Sequence, residues 1–260
     1  MITIKSRDEF ARMAIAGRCV AAAHQAIRKA ARPGVTTGEL DRISAEVISA
    51  HGCLPSFLGY GVPPFPGTIC ASPNDVIVHG IPGDYVLSDG DVLSIDVGAI
   101  YEGFHGDAAF TMAIGDVPGE TQALIDITEE AMWAGIAQVR HGARLGDIGA
   151  AVQQVGERAG YGVVREYVGH GIGRAMHEEP QIPNYGVAGR GMKLRRGMAV
   201  CIEPMFNMGS HATKVDPDHW TVRTEDGTVS AHWEHTVCIT PDGVVVTTVG
   251  EGAAIPVSLA

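Results

Sequence analysis

Leu87-Ser-Asp-Gly-Asp-Val-Leu-Ser-Ile-Asp96 and Leu194-Arg-Arg-Gly-Met-Ala-Val-Cys-Ile-Glu203 are one pattern met twice, at an offset of about 107 residues. Leu, Gly, Val-or-Leu, Ile and a closing acid fall in register. Upstream, Pro33-Gly-Val-Thr-Thr-Gly-Glu-Leu40 overlays His141-Gly-Ala-Arg-Leu-Gly-Asp-Ile148 at nearly the same offset. Each half also carries a His-x-x-Pro element, His79-Gly-Ile-Pro82 and His177-Glu-Glu-Pro180. Two copies are too few for a solenoid, which needs at least three stacked units. The reading is therefore one duplicated domain over residues 1–260, with related halves at roughly 7–115 and 120–248. Related halves tend to pack about a pseudo-two-fold axis. Acids at matching positions then converge, and converging acids call for a cation.

A chain of 260 residues, 45% of them hydrophobic, can bury a sizeable core. The formal charge of −11 sets DNA and RNA aside as main partners. The densest basic stretch holds Arg190, Lys193, Arg195 and Arg196. It reads first as a solvated loop, and second as a weak contact with a phosphate-rich surface such as a ribosome. The five cysteines are odd in number and form no CxxC, which argues against a disulfide framework or a Cys-rich zinc module and fits a reducing cytosol. The stretch Met1-Ile-Thr-Ile-Lys-Ser-Arg-Asp-Glu-Phe10 lacks the apolar core of a signal peptide, and no apolar run approaches the length that spans a bilayer. A cytoplasmic protein without a membrane partner is expected.

Ser6-Arg-Asp-Glu9 reads as a capping box. Phe10, Met13, Gly17, Val20, His24 and Ile27 follow at helical spacing, and Pro33-Gly34 is the stop. A second helix starts at Thr36-Thr-Gly-Glu39 and ends near Gly52, and the pair returns at about 121–140 and 145–160. Residues 53–75 are rich in Pro and Gly and read as a structured loop anchored by Phe57, Tyr60, Phe65 and Ile69. Asp91 to Ile100 and His105 to Ile114 flank Glu102-Gly103, a hairpin signal. In such a hairpin, opposite residues sum to an odd number. Asp96 and Asp107 meet that parity and belong on one face, opposite or diagonal. In the second half, Met198 to Phe206 and Ser230 to Ile239 read as single strands holding Glu203 and Glu234. The fold class is α+β: an antiparallel sheet with helices on one face, in two related halves.

Asp96, Asp107, Glu203 and Glu234 each sit among apolar or small residues. Singly, such an acid is most often solvated or paired with Arg or Lys. Together, with few basic residues in the flanking strands, they would cost on the order of several kcal/mol in desolvation unless cations neutralise them. His170 lies in Gly169-His-Gly-Ile-Gly173, where small neighbours leave the ring free to face a cavity; a turn histidine bonded to a carbonyl is the bland alternative. Four carboxylates and one imidazole make a plausible two-metal set. Oxygen-rich ligation with one nitrogen suits Mn²⁺, Fe²⁺, Co²⁺ or Zn²⁺ and argues against a structural zinc site. His79 and His177, the paired His-x-x-Pro histidines, would flank the metals and handle a substrate's amide and carbonyl; the bland alternative is that the Pro sets a turn and the His is incidental. GxSxG, Walker A and GxGxxG before a helix are all absent, and His177-Glu178-Glu179 is no HExxH because residue 181 is Gln.

His79-Gly-Ile-Pro82, Asp96, Gly103-Phe-His-Gly-Asp107, Gly169-His-Gly-Ile-Gly173, His177-Glu-Glu-Pro180, Ile202-Glu-Pro204 and Glu234-His235 together resemble the type I methionine aminopeptidases, over about residues 3–248. With no Cys-rich N-terminal zinc module and no large type II insertion, the chain looks like the short bacterial form. The resemblance implies the pita-bread (creatinase/aminopeptidase-like) fold and removal of the initiator methionine from nascent chains whose second residue is small. It implies two divalent ions (Co, Mn, Fe(II) or Zn) held by Asp96, Asp107, His170, Glu203 and Glu234, with Asp107 and Glu234 bridging. It makes Glu203 the base, His177 the oxyanion partner and His79 the partner of the peptide nitrogen. Tyr60, Phe65, Cys70, Met176 and Trp220 would form the methionine pocket, and Asn74, Val76 and Ser230 match a monovalent-cation site. The implied partners are nascent polypeptide N-termini, and a monomer is expected. Phe57 stands where many bacterial members carry a small residue or Cys, Met176 where an aromatic is frequent, and the 61–67 segment is unusual; these departures bear on the pocket rim. Two rivals remain: a Pro-specific aminopeptidase or prolidase of the same fold, which usually carries an extra N-terminal domain for which this chain has no room, and a non-catalytic relative that binds proteins or RNA.

Overall fold

The computed structural model describes residues 2–250, 252 and 254–257; the outermost residues of the 1–260 span, including Met1 of the N-terminal stretch, lie outside them. Its helices are α1 (Arg7–Ala30), α2 (Thr37–Ala50), α3 (Gly119–Ile136) and α4 (Leu145–Arg158). Its strands are β1 (Leu54–Pro55), β2 (Ile69–Pro73), β3 (Val76–Val78), β4 (Val92–Tyr101), β5 (Phe104–Ala113), β6 (Gly162–Val163), β7 (Gly169–Gly171) and β8 (Glu178–Ile182). They continue as β9 (Ala199–Ile202), β10 (Met205–Asn207), β11 (Thr213–Val215), β12 (Val222–Thr224), β13 (Ser230–His232), β14 (Glu234–Thr240) and β15 (Gly243–Val246). The main sheet runs β1-β4-β5-β14-β9-β7-β8, with β2 on β4 and β15 on β14. All its pairings are antiparallel.

Both predicted helix pairs form, because the local signals agree with the tertiary need. Ser6 caps α1 by accepting from Glu9 N, while the Glu9 carboxylate accepts from Ser6 N; Thr36 and Glu39 do the same for α2. The predicted stripe of α1, from Phe10 to Ile27, is buried. Its Val20 and Ile27 join Leu40, Ile95, Val97, Phe110, Met132, Ile148, Val200 and Val237 in one core between helices and sheet, while Phe10 and Met13 pack with Phe104 and Ile172 in a second cluster. Residues 95 and 97 of β4 therefore face the helices, so Asp96 faces away from them.

The two halves repeat hydrogen bond by hydrogen bond. Gly34 N donates to Leu87 O, Leu87 N to Val35 O and Thr37 N to Tyr85 O. In the second half Gly142 N donates to Leu194 O, Leu194 N to Ala143 O and Leu145 N to Met192 O. Lone bridges at Thr36–Val86 and Arg144–Lys193 match as well. The central strands β5 and β14 pair with Ala109 opposite Glu234.

Two expectations need correction. The stretch Met198 to Phe206 is not one strand but β9 and β10, separated by Glu203-Pro204, so Glu203 lies in the break. Pro204 has no N–H to give a ladder. Likewise Ser230 to Ile239 divides at Trp233 into β13 and β14. At both breaks the chain leaves one sheet for another: β9 and β14 belong to the main sheet, β10 and β13 to a three-stranded sheet. The Pro-rich 53–75 segment is also not all loop, since β1 and β2 pair with β4; Pro73 is tolerated because it ends β2.

Candidate metal centre

Strand parity builds the site. Tyr101 pairs with Phe104 around the Glu102-Gly103 turn, whose φ values of 45° and 77° suit the tight hairpin. In this register Asp96 faces Ala109 and Gly98 faces Asp107, so the two aspartates are diagonal neighbours on the face opposite the helices. Ala109 in turn faces Glu234. A methyl group thus sits between Asp96 and Glu234 and leaves the carboxylates room to lean inward. On the far side, His235 pairs with Ile202, which brings Glu203 level with Glu234. Gly171 pairs with Val200, which brings His170 level with Cys201. A Cβ on Gly169 would lie 2.3 Å from Cys201 O, and one on Gly171 2.3 Å from Glu179 O. The small residues around His170 are required by this close packing of β7 between its neighbours.

Asp96, Asp107, His170, Glu203 and Glu234, the five predicted ligands, line one cavity. His170 Nε2 lies 3.8 Å from Asp107 Oδ2 and 3.5 Å from Glu203 Oε1. Its Nδ1 is 2.9 Å from Gly171 O; a proton there donates to that carbonyl and leaves the Nε2 lone pair free to bind a metal. One oxygen of each acid (Asp96 Oδ1, Asp107 Oδ1, Glu203 Oε1 and Glu234 Oε1) is buried without a hydrogen bond among the described residues. Among the described residues no Lys or Arg lines the cavity.

Burial raises every one of these carboxyl pKa values. Asp96 goes up to about 7. Asp107 and Glu234 go well above the usual range, driven next by their acidic neighbours: Glu234 and Asp96 on Asp107, Glu203 and Asp96 on Glu234. Glu203 follows through burial, Asp107 and Asp96. Burial, with help from His177, pushes His170 down to about 3, so its ring is neutral. Acids that cannot all ionise beside a neutral imidazole fit a bound divalent cation, which would restore the charged forms.

Above the acids the lining turns apolar. Phe57, Phe65, Cys70 and Met176 form a small cluster with Trp220 packed against it. The Trp220 Nε1–H donates to Pro63 O at 3.0 Å, tying the unusual 61–67 segment to the pocket wall. Tyr60 sits at the rim with its hydroxyl 2.6 Å from His177 Nδ1. The rings of His177 and His170 are 4.4 Å apart. His79 holds φ 60°, a left-handed backbone rare for a non-glycine residue and common at functional sites. Its ring meets Tyr167 and Trp220 edge-on.

The three residues matched to a monovalent cation are less telling. Asn74 O accepts from Ser230 N, Asn74 Oδ1 accepts from Val92 N, and Ser230 Oγ donates to Asn207 Oδ1. Val76 pairs with Arg223. The side-chain oxygens are engaged, so only backbone carbonyls remain for an ion.

Sequence reasoning missed Val78, His232 and Cys201. His232 and Val78 line the cavity, and Cys201 Sγ shares a cluster of donor atoms, all within 4.8 Å of one another, with Asp107, His170 and Glu234. The signals were present. Cys201 is two residues before Glu203 and shares its face. His232 is two before Glu234, but the break at Trp233 hides whether it turns inward.

An antiparallel sheet covered by helices on one face, with buried acids on the other, defines a metal-dependent hydrolase of the pita-bread fold. Residues 11–241 match the model of metallopeptidase family M24, and the chain belongs to that family. It is 48% identical over 249 residues to a methionine aminopeptidase of Clostridium perfringens, covering 95% of this chain and 99% of that one. The crystal structure of methionine aminopeptidase from Rickettsia prowazekii superposes with a TM-score of 0.92 at 42% identity, over 96% of this chain and 100% of that one. A prolidase from Pyrococcus furiosus shares the fold alone: TM-score 0.76, 21% identity, 95% of this chain and 65% of that one. No helix among the described residues is long and apolar enough to cross a membrane.

Proposed function

We propose that this chain is a metal-dependent aminopeptidase that removes N-terminal methionine from nascent proteins and peptides when the second residue is small. The observation that carries this reading is the set of buried, unpartnered acid oxygens beside His170 at the foot of an apolar pocket. Asp96, Asp107, His170, Glu203 and Glu234 would hold two divalent ions; Co²⁺, Mn²⁺, Fe²⁺ and Zn²⁺ all suit the donors. Bound there, the ions would supply Lewis acidity, lowering the pKa of water and polarising the scissile carbonyl.

The remaining work falls to side chains. Glu203, ionised beside the bound cations, would take the proton of the attacking water and return it to the leaving amine. His177 donates to the developing oxyanion from the rim, held by the Tyr60 hydroxyl on its other nitrogen. His79, whose pKa burial lowers to about 4, meets the peptide nitrogen as a neutral ring. The methionine side chain lies against Phe65, Cys70, Met176 and Trp220, with Tyr60 at the entrance and Phe57 narrowing the wall. A soft thioether suits such a lining.

The reading treats residues 1–260 as one domain with related halves at about 7–115 and 120–248, supported by the recurring hydrogen bonds. It takes the chain as a cytoplasmic monomer acting on emerging N-termini, with the basic residues Arg190, Lys193, Arg195 and Arg196 as a weak ribosome contact. A monovalent cation at Asn74, Val76 and Ser230 would be held by main-chain oxygens.

The test is a metal-reconstituted assay on Met-Ala-Ser and its second-residue variants beside Ala-Pro-Ala. Release of Met that EDTA abolishes and metal restores is the expected result. Cleavage of Ala-Pro-Ala instead would assign a Pro-specific enzyme. Metal binding without turnover of any peptide would leave a non-catalytic relative.

A further inference from the structure

We propose that His232 is a metal-binding residue: with Glu203 and Glu234 it forms a cation position that brings a second imidazole nitrogen to the centre. The inference rests on the metal reading above and adds a donor to it.

His232 closes β13, on the three-stranded sheet, just before the Trp233 break. Its backbone is fixed from two sides. It pairs with Met205 of β10, and Thr111 Oγ1 bonds both its carbonyl, at 2.7 Å, and its N–H, at 2.9 Å. The residue is 2% exposed. Its Nε2 is buried without a hydrogen bond among the described residues. The nearest acid atom, Glu203 Oε2, stands 3.9 Å away, too far for a hydrogen bond. A buried ring nitrogen left without a partner is costly, and a protein keeps one where something else meets it. The donor atoms of Glu203, His232 and Glu234 lie within 4.8 Å of one another. Donors around an ion with bonds of about 2.1 Å sit roughly 3–4 Å apart, so a small contraction completes the position.

The chemistry has a direction. A second nitrogen makes the site more selective for Co²⁺ and Zn²⁺ over Mn²⁺, whose preference is for oxygen. Glutamine at 232 would keep the length and polarity but offer a poor ligand.

The test follows binding, not turnover. Metal-stripped protein is titrated with Co²⁺ by equilibrium dialysis and visible absorption, and the Co²⁺-loaded protein is examined by ¹H NMR for exchangeable, hyperfine-shifted imidazole N–H signals. Wild type should show two such signals. His232→Gln and His170→Gln should each show one, a different one in each. His232→Gln should weaken uptake of one Co²⁺ equivalent about tenfold or more, and change Mn²⁺ affinity less. A single imidazole signal in the wild type, or Co²⁺ isotherms that superimpose for wild type and His232→Gln, would overturn the assignment; a ring that only meets substrate gives that result. The wild-type spectrum decides the matter even if a variant fails to fold. Wild type that takes up no Co²⁺ at all removes the metal reading together with this one. Uptake that depends on Asp107 but not on His232 removes this one alone.

Discussion

The hairpin β4–β5 and its counterpart in the second half place acids at matching positions by different means. In the first half both strands run unbroken for ten residues, and Asp96 and Asp107 are ordinary ladder positions locked diagonally. In the second half each long strand breaks beside its acid, at Glu203-Pro204 and at Trp233, and the chain passes to another sheet. The unbroken half supplies rigid carboxylates. The broken half frees the backbone, uses the longer glutamate side chain, and turns His232 toward the same space. Strand pairing brings the matching acids together; the breaks explain why the two sides of the centre are chemically unequal.

If the ladder-locked acids carry the metals, Asp107→Asn should remove the largest share of function. Turnover of Met-Ala-Ser should fall by about 10³-fold or more, as when a residue central to a catalytic unit is lost, with bound metal falling in parallel. Wild-type turnover in that variant would end the bridging role. His79→Ala should come next, slowing kcat by about 10²-fold, the scale of losing one positioned donor, while metal content stays at the wild-type level. Loss of metal there would move His79 into the ligand set. Removing metal tests the halves together: because ions bind the folded chain, a hundredfold excess over Kd adds about 2.7 kcal/mol of stability. Thermal melts with and without EDTA should separate accordingly, and identical melts would deny the acids their ions.

The smallest effects compare how helices seat on each half. A Cβ on Gly106 of β5 would lie 2.8 Å from Gly17 N, a backbone atom of α1 that cannot swing aside. Gly106→Ala should therefore cost about 1–3 kcal/mol in a denaturant melt. A Cβ on Gly135 of α3 would meet side-chain methyls of Val152 and Ile202 at 2.8 and 3.0 Å. Those can rotate, and alanine is favoured over glycine in a helix by roughly 0.5–1 kcal/mol. Gly135→Ala should cost less than Gly106→Ala; the reverse order would mean that the second half is the more tightly seated.

The internal repeat, the capped helices, the Asp96–Asp107 parity and the five candidate ligands were all legible in the chain, because each depends on spacing along a helix or strand. The strand breaks were not. Pro204 signalled one of them, but nothing local marked Trp233 as the point where the chain changes sheet. For the same reason His232 went unread: which way a side chain faces beside a break depends on the partner strand, not on alternation. The packing of Phe57 against Met176 in the pocket wall and the Tyr60–His177 contact also join residues far apart in sequence, in each case one of them on a Pro-rich loop with no periodicity to follow.

By itself the sequence determined the helices, the β4–β5 hairpin, the repeated pattern and which residue types could bind metal, since those follow from local periodicity and side-chain chemistry. Only the tertiary structure decided that four acids share one cavity, that among the described residues no Lys or Arg lines it, and that His232 lines it together with His170. Desolvation and donor geometry are properties of neighbours brought together by folding, and no single stretch of chain contains them.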